Sequence, residues 1–181
     1  MPRTRPELDR AEKQTAILEA AMQQLETGGY GALSLAAIAR ELGVAQNAVY
    51  WYFPTKDHLF VAALEQLGHR VFATKMRAGP DWTGRLLAVV DALADLYPLL
   101  PAIHERAAAS DVVRRYEREL LAQFRAMLAG GLARRVPAGE VDLAADTVLA
   151  AVIGAYATDL SRARRRQLLR NLLDRLAAPE T

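Results

Sequence analysis

No cysteine occurs among the 181 residues. That absence removes disulfides, thiolate metal sites, cysteine nucleophiles and thiol-based redox sensing, and it suits a reducing compartment. No apolar run approaches the ~18 residues that a membrane span requires, and Met1-Pro2-Arg3-Thr4-Arg5 leads into charged rather than apolar sequence. The expectation is a soluble, cytoplasmic protein with no signal peptide and no membrane partner. With 11 Gly and 8 Pro against a hydrophobic fraction of 52%, the chain is neither disordered nor collagen-like. Strand alternation and internal repeats are missing as well, which leaves an all-α fold. Catalytic signatures are equally scarce: there is no His-x-x-x-His or Glu-x-x-His pair, no Gly-rich phosphate loop and no Gly-x-Ser-x-Gly elbow. His104 beside Glu105, and Asp159 near Ser161, are adjacencies without a supporting constellation. No catalytic residue, metal site or cofactor is expected, and an all-helical enzyme is only a remote alternative.

Excess positive charge is also lacking. The net charge is +2, and the first 60 residues hold six cations (Arg3, Arg5, Arg10, Lys13, Arg40, Lys56) against seven anions (Glu7, Asp9, Glu12, Glu19, Glu26, Glu41, Asp57). Bulk charge does not point to nucleic acid. Any such role must come from where particular donors sit.

What is present is helical periodicity. A first helix is predicted from about Glu7 to Thr27, with Ile17, Leu18, Ala21 and Leu25 on one face and Gly28-Gly29 as its stop. Arg3 and Arg5 precede it on a short arm that is either inert or able to reach a phosphate or the minor groove. Ser34 is the N-cap of a second helix carrying Leu35, Ile38, Ala39 and Leu42, and Gly43 ends it at a sharp turn. From Ala45 to Tyr52 a third, short helix can turn Val49 inward together with the flanking Val44 and Phe53, leaving Gln46, Asn47, Tyr50 and Tyr52 outward. This is a helix-turn-helix, a device for reading the major groove, where amide side chains can both donate and accept at base edges. Pro54 separates it from a helix capped by Thr55, with Asp57 complementing the dipole of its first turn, that continues to about Arg77.

Downstream, Ala78-Gly79-Pro80 is a break and Asp81 opens a helix carrying Trp82, Leu86, Val89, Val90, Leu93 and Leu96, ended by Pro98 and Pro101. Ser110 or Asp111 caps a helix from about Val112 to Leu128 that Gly130-Gly131 terminates. Helices from about Val141 to Leu160 and Arg162 to Leu176 follow, with Ser161 as the N-cap between them. Arg162, Arg164, Arg165 and Arg166 read as a solvated helix face before a nucleic-acid patch.

The run Gly43-Val44-Ala45-Gln46-Asn47-Ala48-Val49-Tyr50-Trp51-Tyr52-Phe53-Pro54-Thr55-Lys56-Asp57-His58-Leu59 resembles the signature of TetR-type (TetR/AcrR-like) transcriptional repressors. The likeness extends upstream through Ile17-Leu18-Glu19-Ala20-Ala21, Gly28-Gly29-Tyr30 and Leu33-Ser34-Leu35, roughly the first third of the chain. It implies a helix-turn-helix domain over 1–54 and a larger helical ligand-sensing and dimerisation domain over 55–181. It also implies base contacts from Gln46, Asn47, Ala48 and Tyr52, and phosphate contacts from Tyr50 and Lys56. Ala48 can offer only a methyl group to a thymine methyl. Ser34 and Trp51 complete the phosphate set, although Tyr50 and Trp51 can equally wedge helices together. Leu35 and Ala36 stand where some relatives carry polar or basic DNA contacts, so the preceding helix contributes fewer here.

A single short recognition helix contacts few base pairs, so a homodimer on a pseudo-palindromic operator in double-stranded DNA is expected, with half-sites about one turn, roughly 34 Å, apart. The expected dimer face is Val148, Ala151, Val152, Ala155 and Tyr156, around the small Gly154, with Leu168, Leu169, Leu172, Leu173 and Leu176. The resemblance further implies an inducer cavity. Phe72, Met76, Trp82, Leu86, Val89, Tyr97, Ile103, Tyr116, Phe124 and Met127 are candidates to line it, with His104 or His69 as a polar anchor, which suits a small, mostly hydrophobic ligand. Each is also acceptable as ordinary core. The alternative within the same class is a DNA-binding regulator or architectural protein with a filled core and no inducer.

Overall fold

The computed structural model describes residues 5–75, 81–96, 99–158 and 160–177; the side chains at 5–9, 72–75 and 94–96 lie outside that description. Among the described residues there are nine α-helices and no strand. They are α1 (Arg5–Ala32), α2 (Leu35–Glu41), α3 (Gln46–Tyr52), α4 (Lys56–Lys75), α5 (Trp82–Leu96), α6 (Leu100–Ala107), α7 (Asp111–Leu132), α8 (Val141–Ala157) and α9 (Arg162–Leu176), with a 3₁₀ turn at Ala138–Glu140 before α8. No helix among the described residues is long and apolar enough to cross a membrane. The expected arm residue Arg3, the break at 78–80, Pro98 and Asp159 lie outside the described residues.

Four of the caps read from sequence are in place. Ser34 Oγ accepts from the Ala37 amide at 3.2 Å, Asp81 Oδ1 from Gly84 at 2.6 Å, and Ser161 Oγ from Arg164 at 3.3 Å. Thr55 Oγ1 accepts from the His58 amide at 3.3 Å. Each satisfies one of the orphan donors at a helix start. The stop at Gly28-Gly29 also holds, although the helix is continuous by hydrogen bonding to Ala32: Gly29 adopts φ 63°, ψ −162°, a region open to glycine alone.

Two expectations need correction. Gly130-Gly131 does not terminate α7, which runs on to Leu132. Neither glycine has positive φ, and Gly131 is small for a packing reason, since a Cβ there would lie 1.8 Å from Trp82 Nε1. The bareness of the helix at Gly131 is a seat for the indole. The second correction concerns Pro101, expected as a terminator. It sits in the first turn of α6, where the missing N–H has no partner to lose and the fixed φ is already helical.

Packing divides the chain into two compact units, Met1–His69 with Pro98–Tyr116, and Arg70–Tyr97 with Glu117–Thr181. The first is built on buried Ile17, Ala21, Met22 and Leu25 of α1, Ile38 of α2, Val49 of α3, Leu59, Phe60 and Ala63 of α4, Ile103 of α6 and Val113 of α7. The second has its own core of Leu86, Leu87, Val89 and Val90 from α5, Phe124, Leu128 and Leu132 from α7, Val148, Val152 and Tyr156 from α8, and Leu169 and Leu173 from α9. Tyr156 donates its hydroxyl to the Val90 carbonyl inside that core, which provides the partner a buried phenol needs. The arginines at the start of α9 are more than a solvated face. Arg162 (3.1 Å) and Arg166 both reach the carboxylate of Asp91, whose side chain is 6% exposed, and the Arg165 guanidinium lies 4.9 Å from the centre of the Tyr156 ring.

Candidate nucleic-acid interface

The turn between α2 and α3 is fixed by backbone geometry. Gly43 takes φ +64°, its N–H bonds to Arg40 O at 3.3 Å, and Val44 N–H bonds to Ala39 O at 3.0 Å. This pair of reversed bonds is a Schellman motif, with the left-handed residue at the position where glycine carries no Cβ penalty. It aims α3 away from α2 while Val49 (0% exposed) and Phe53 (4%) anchor α3 in the core. Ser34 contributes from the other end of α2: its N–H donates to Gln24 Oε1 of α1 at 2.9 Å, and its Oγ, already the cap acceptor, keeps a proton to donate.

With Val49 and Phe53 turned inward, the opposite arc of α3 is open. Gln46, Asn47 and Ala48 are exposed, Tyr50 is 41% and Trp51 61% exposed, and Tyr52 is half-buried. Trp51 and Tyr52 touch edge to face, ring centres 4.9 Å apart. Leu35 is core, while Ala36 is exposed but has no polar group to offer. The open arc thus presents two amides and a phenol beside a large aromatic, a chemistry matched to base edges and phosphates.

Behind α3, the start of α4 is held by a polar cluster that sequence reading did not assemble. Asp57 accepts from Tyr30 OH at 2.6 Å and from Arg106 Nε and Nη2 at 3.2 and 2.8 Å. Burial pushes the Asp57 carboxyl up, but hydrogen bonds from Arg106, Tyr30 and Ser110 and the guanidinium charge outweigh it and bring the pKa down to about 2. Tyr30 is pushed up to about 12, by burial first and then by donating to that carboxylate. Its ring packs edge-on against Phe60, centres 4.9 Å apart, and carries Lys56 Nζ at 4.3 Å and the Arg106 guanidinium at 5.3 Å. Lys56, which also donates to Gly31 O at 3.4 Å, has its pKa lowered by burial and by the Arg106 charge. Asp57 is legible in sequence only as a dipole partner. Nothing in the spacing of Arg106, 49 residues away, marks it as the other half of the clasp.

The candidate ligand residues are divided between the two units. In the first, Ile103 is buried, His104 exposed, and Tyr116 half-buried with its pKa raised to about 12, by burial and then by the charge of Glu65. In the second, Leu86, Val89 and Phe124 are buried in the core, with Trp82 and Met127 packed against it. Met76, Tyr97 and the side chain of Phe72 lie outside the described residues. The second unit also has an open surface pocket of about 500 Å³ lined by Asp81, Trp82, Arg85, Gly130, Gly131, Arg134 and Arg135, a more cationic lining than the expected one.

Of the dimer candidates, Val148, Val152, Ala155, Tyr156, Leu169 and Leu173 are buried within the subunit, Ala151, Leu172 and Leu176 are half-buried, and Leu168 is 38% exposed. Leu143 (70%) and Ile153 (51%) are the large apolar side chains of α8 left exposed.

Among the described residues the chain is all-helical, and its first unit presents a helix-turn-helix with an open polar and aromatic arc. Residues 17–63 match the family described as bacterial regulatory proteins, tetR family. Over 67 residues the chain is 39% identical to the transcriptional repressor KstR of Mycolicibacterium smegmatis, covering 37% of this chain and 33% of that protein. The match therefore spans about a third of that curated relative. Over nearly the whole chain the fold is that of a TetR transcription regulator from Haloarcula marismortui (TM-score 0.76, 22% identity, 93% of this chain and 100% of the other). It is likewise that of a transcriptional regulator from Saccharomonospora viridis solved with choline (TM-score 0.69, 19% identity, 91% and 96%). By sequence the likeness to this family lies in the helix-turn-helix, residues 17–63, and over the rest of the chain the likeness is one of fold.

Proposed function

We propose that the chain is a homodimeric, sequence-specific transcriptional repressor that leaves its operator when a small, mostly hydrophobic ligand binds the helices beyond the helix-turn-helix. The observation that carries this reading is the open arc of α3, where Gln46, Asn47, Tyr50 and Trp51 stand clear of the core while Val49 and Phe53 anchor the helix. In it Gln46, Asn47, Ala48 and Tyr52 meet base edges, and Ser34, Tyr50, Trp51 and Lys56 meet phosphates. The likeness to a named repressor over the same stretch supports repression, and choline in a protein of the same fold supports a small-molecule ligand.

Pairing runs along α8 and α9. Exposed Leu143, Ile153 and Leu168, with Gly154 permitting close approach, meet a second copy beside a core already filled by Val148, Val152, Leu169 and Leu173. Ligand binding shifts the population toward subunit arrangements in which the two readers no longer match adjacent major grooves, and by linkage operator DNA weakens the ligand by the same factor.

The test is selection of bound fragments from a random-sequence duplex pool, run with the native chain and with a Gln46→Ala, Tyr50→Ala, Lys56→Ala triple variant. Enrichment of a two-fold-related motif by the native chain alone is expected. No enrichment by folded, dimeric native protein overturns the reading. A recovered operator whose affinity no small molecule lowers leaves the regulator without an inducer.

A further inference from the structure

Trp51 is the most exposed large side chain on the reading surface, 61% open, and its ring is already engaged. The Arg10 guanidinium of α1 lies 4.2 Å from its centre. Among the described residues no carboxylate is within ion-pair distance of Arg10. From this pairing we infer that Arg10 is a phosphate contact, delivered beside the recognition helix by the Trp51 ring, and that Trp51, placed above among the phosphate contacts, acts there through the arginine it holds and not by touching DNA itself. The inference rests on the DNA-binding reading above.

The placement follows from helix geometry. At about 100° per residue, Gln46, Tyr50, Asn47, Trp51 and Ala48 fall in that order across roughly 200° of one exposed arc, with Val49 outside it. Trp51 therefore lies within the arc, between Asn47 and Ala48, and the guanidinium on its ring reaches it from a different helix, α1. A helix seated in the major groove has base edges below its centre and a sugar-phosphate strand along each side. A cation brought in from α1, beside the reading helix and not on it, is placed for a strand and not for a base.

A reason for the platform also follows. A free arginine loses much of its rotamer freedom when it binds, and exposed cation–π stacking offsets part of that loss by holding the side chain before DNA arrives. The guanidinium keeps its N–H donors in its own plane while its face rests on indole, so stacking and phosphate binding do not compete. The edge contact of Tyr52 on Trp51, at 4.9 Å and 89°, limits rotation of the ring that carries the arginine. In a first unit with no excess of cations, one fixed at this point matters more than its share of the sum.

The experiment measures affinity for a random-sequence duplex across a salt series for the native chain, Arg10→Ala, Trp51→Ala and the double variant, each first shown to fold. Arg10→Ala is expected to flatten the slope of log K against log salt by about one per subunit and to weaken all sequences alike. Trp51→Ala should reproduce most of that loss, with the double variant no worse than Arg10→Ala alone. An unchanged slope for Arg10→Ala overturns the inference, as does a Trp51→Ala loss that adds fully to it, which would make Trp51 an independent contact. Native protein that binds no duplex at any salt overturns the DNA-binding reading itself; native binding with an indifferent Arg10→Ala variant overturns this inference alone.

Discussion

Replacing Asp57 by asparagine keeps the shape of the side chain and removes its charge, and it should destabilise the first unit by about 2 kcal/mol at neutral pH. The magnitude comes from the cluster. The carboxylate is 13% exposed, accepts three hydrogen bonds from Tyr30 and Arg106, and titrates at about 2 instead of 3.8, and each pKa unit corresponds to about 1.4 kcal/mol. A second route gives the same scale: exposed ion pairs contribute about 0–1 kcal/mol and breaking fully buried ones costs about 3–5, and a pair at 33% and 13% exposure lies between them. Because the folded-state pKa is depressed, the stabilisation is present above the unfolded-state value of 3.8 and is lost as pH falls through about 2. The difference in unfolding free energy between native and Asp57→Asn chains should therefore hold steady from pH 7 to about 5, fall to roughly half near pH 3 and nearly vanish toward pH 2. Urea unfolding followed by far-ultraviolet circular dichroism at these pH values measures it. A difference under about 0.5 kcal/mol at pH 7, or one as large at pH 3 as at pH 7, refutes the reasoning.

Gly43→Ala forces a Cβ into the left-handed turn between α2 and α3 and should cost about 1–2 kcal/mol, read as a lower thermal midpoint with far-ultraviolet helicity retained in the cold. Gly131→Ala puts a methyl 1.8 Å from Trp82 Nε1 and must displace the indole; a red-shifted tryptophan emission and a cost of about 1–3 kcal/mol are expected, and unchanged emission would show that Trp82 does not rest there. Lys56→Ala should lower affinity for every duplex and flatten the salt slope by about one, whereas Gln46→Ala should change which sequences are preferred; identical behaviour of the two would remove the division between positioning and reading residues.

The legible parts of this fold are those set by local chemistry. Ser34, Asp81 and Ser161 announce their caps because a short side chain before an apolar period has one obvious use, and the structure shows each accepting its bond. Gly43 is legible for the same reason. Gly131 is not: in sequence it resembles a helix stop, and only the indole of Trp82, from another helix, explains its size. Pro101 misleads in the opposite direction, since a proline that follows one helix can also begin the next. On α3 the outward residues are legible from the period of Val49 and Phe53. The clasp beneath it is not, because Tyr30, Asp57 and Arg106 come from three helices and no spacing rule links them. Arg10 on Trp51, like Arg162 and Arg166 on Asp91, is tertiary in the same way.

These pairings also explain why counting charges says little about the interface. Asp57 is one of the seven acids of the first 60 residues, yet its charge is taken up internally by Arg106 and Tyr30. Lys56 counts as a full cation but rests on the Tyr30 ring with its pKa lowered by burial and by Arg106. The acid and base nearest the start of α4 are thus both tied to one cluster, which sets the helix following the reader rather than a diffuse field. On the proposed reading, a surface built this way would attract DNA weakly at a distance, since long-range attraction depends on net charge. Binding would depend instead on side chains placed at defined points on α1, α3 and α4, and discrimination between sequences would rest on the exposed amides of Gln46 and Asn47 more than on electrostatic attraction.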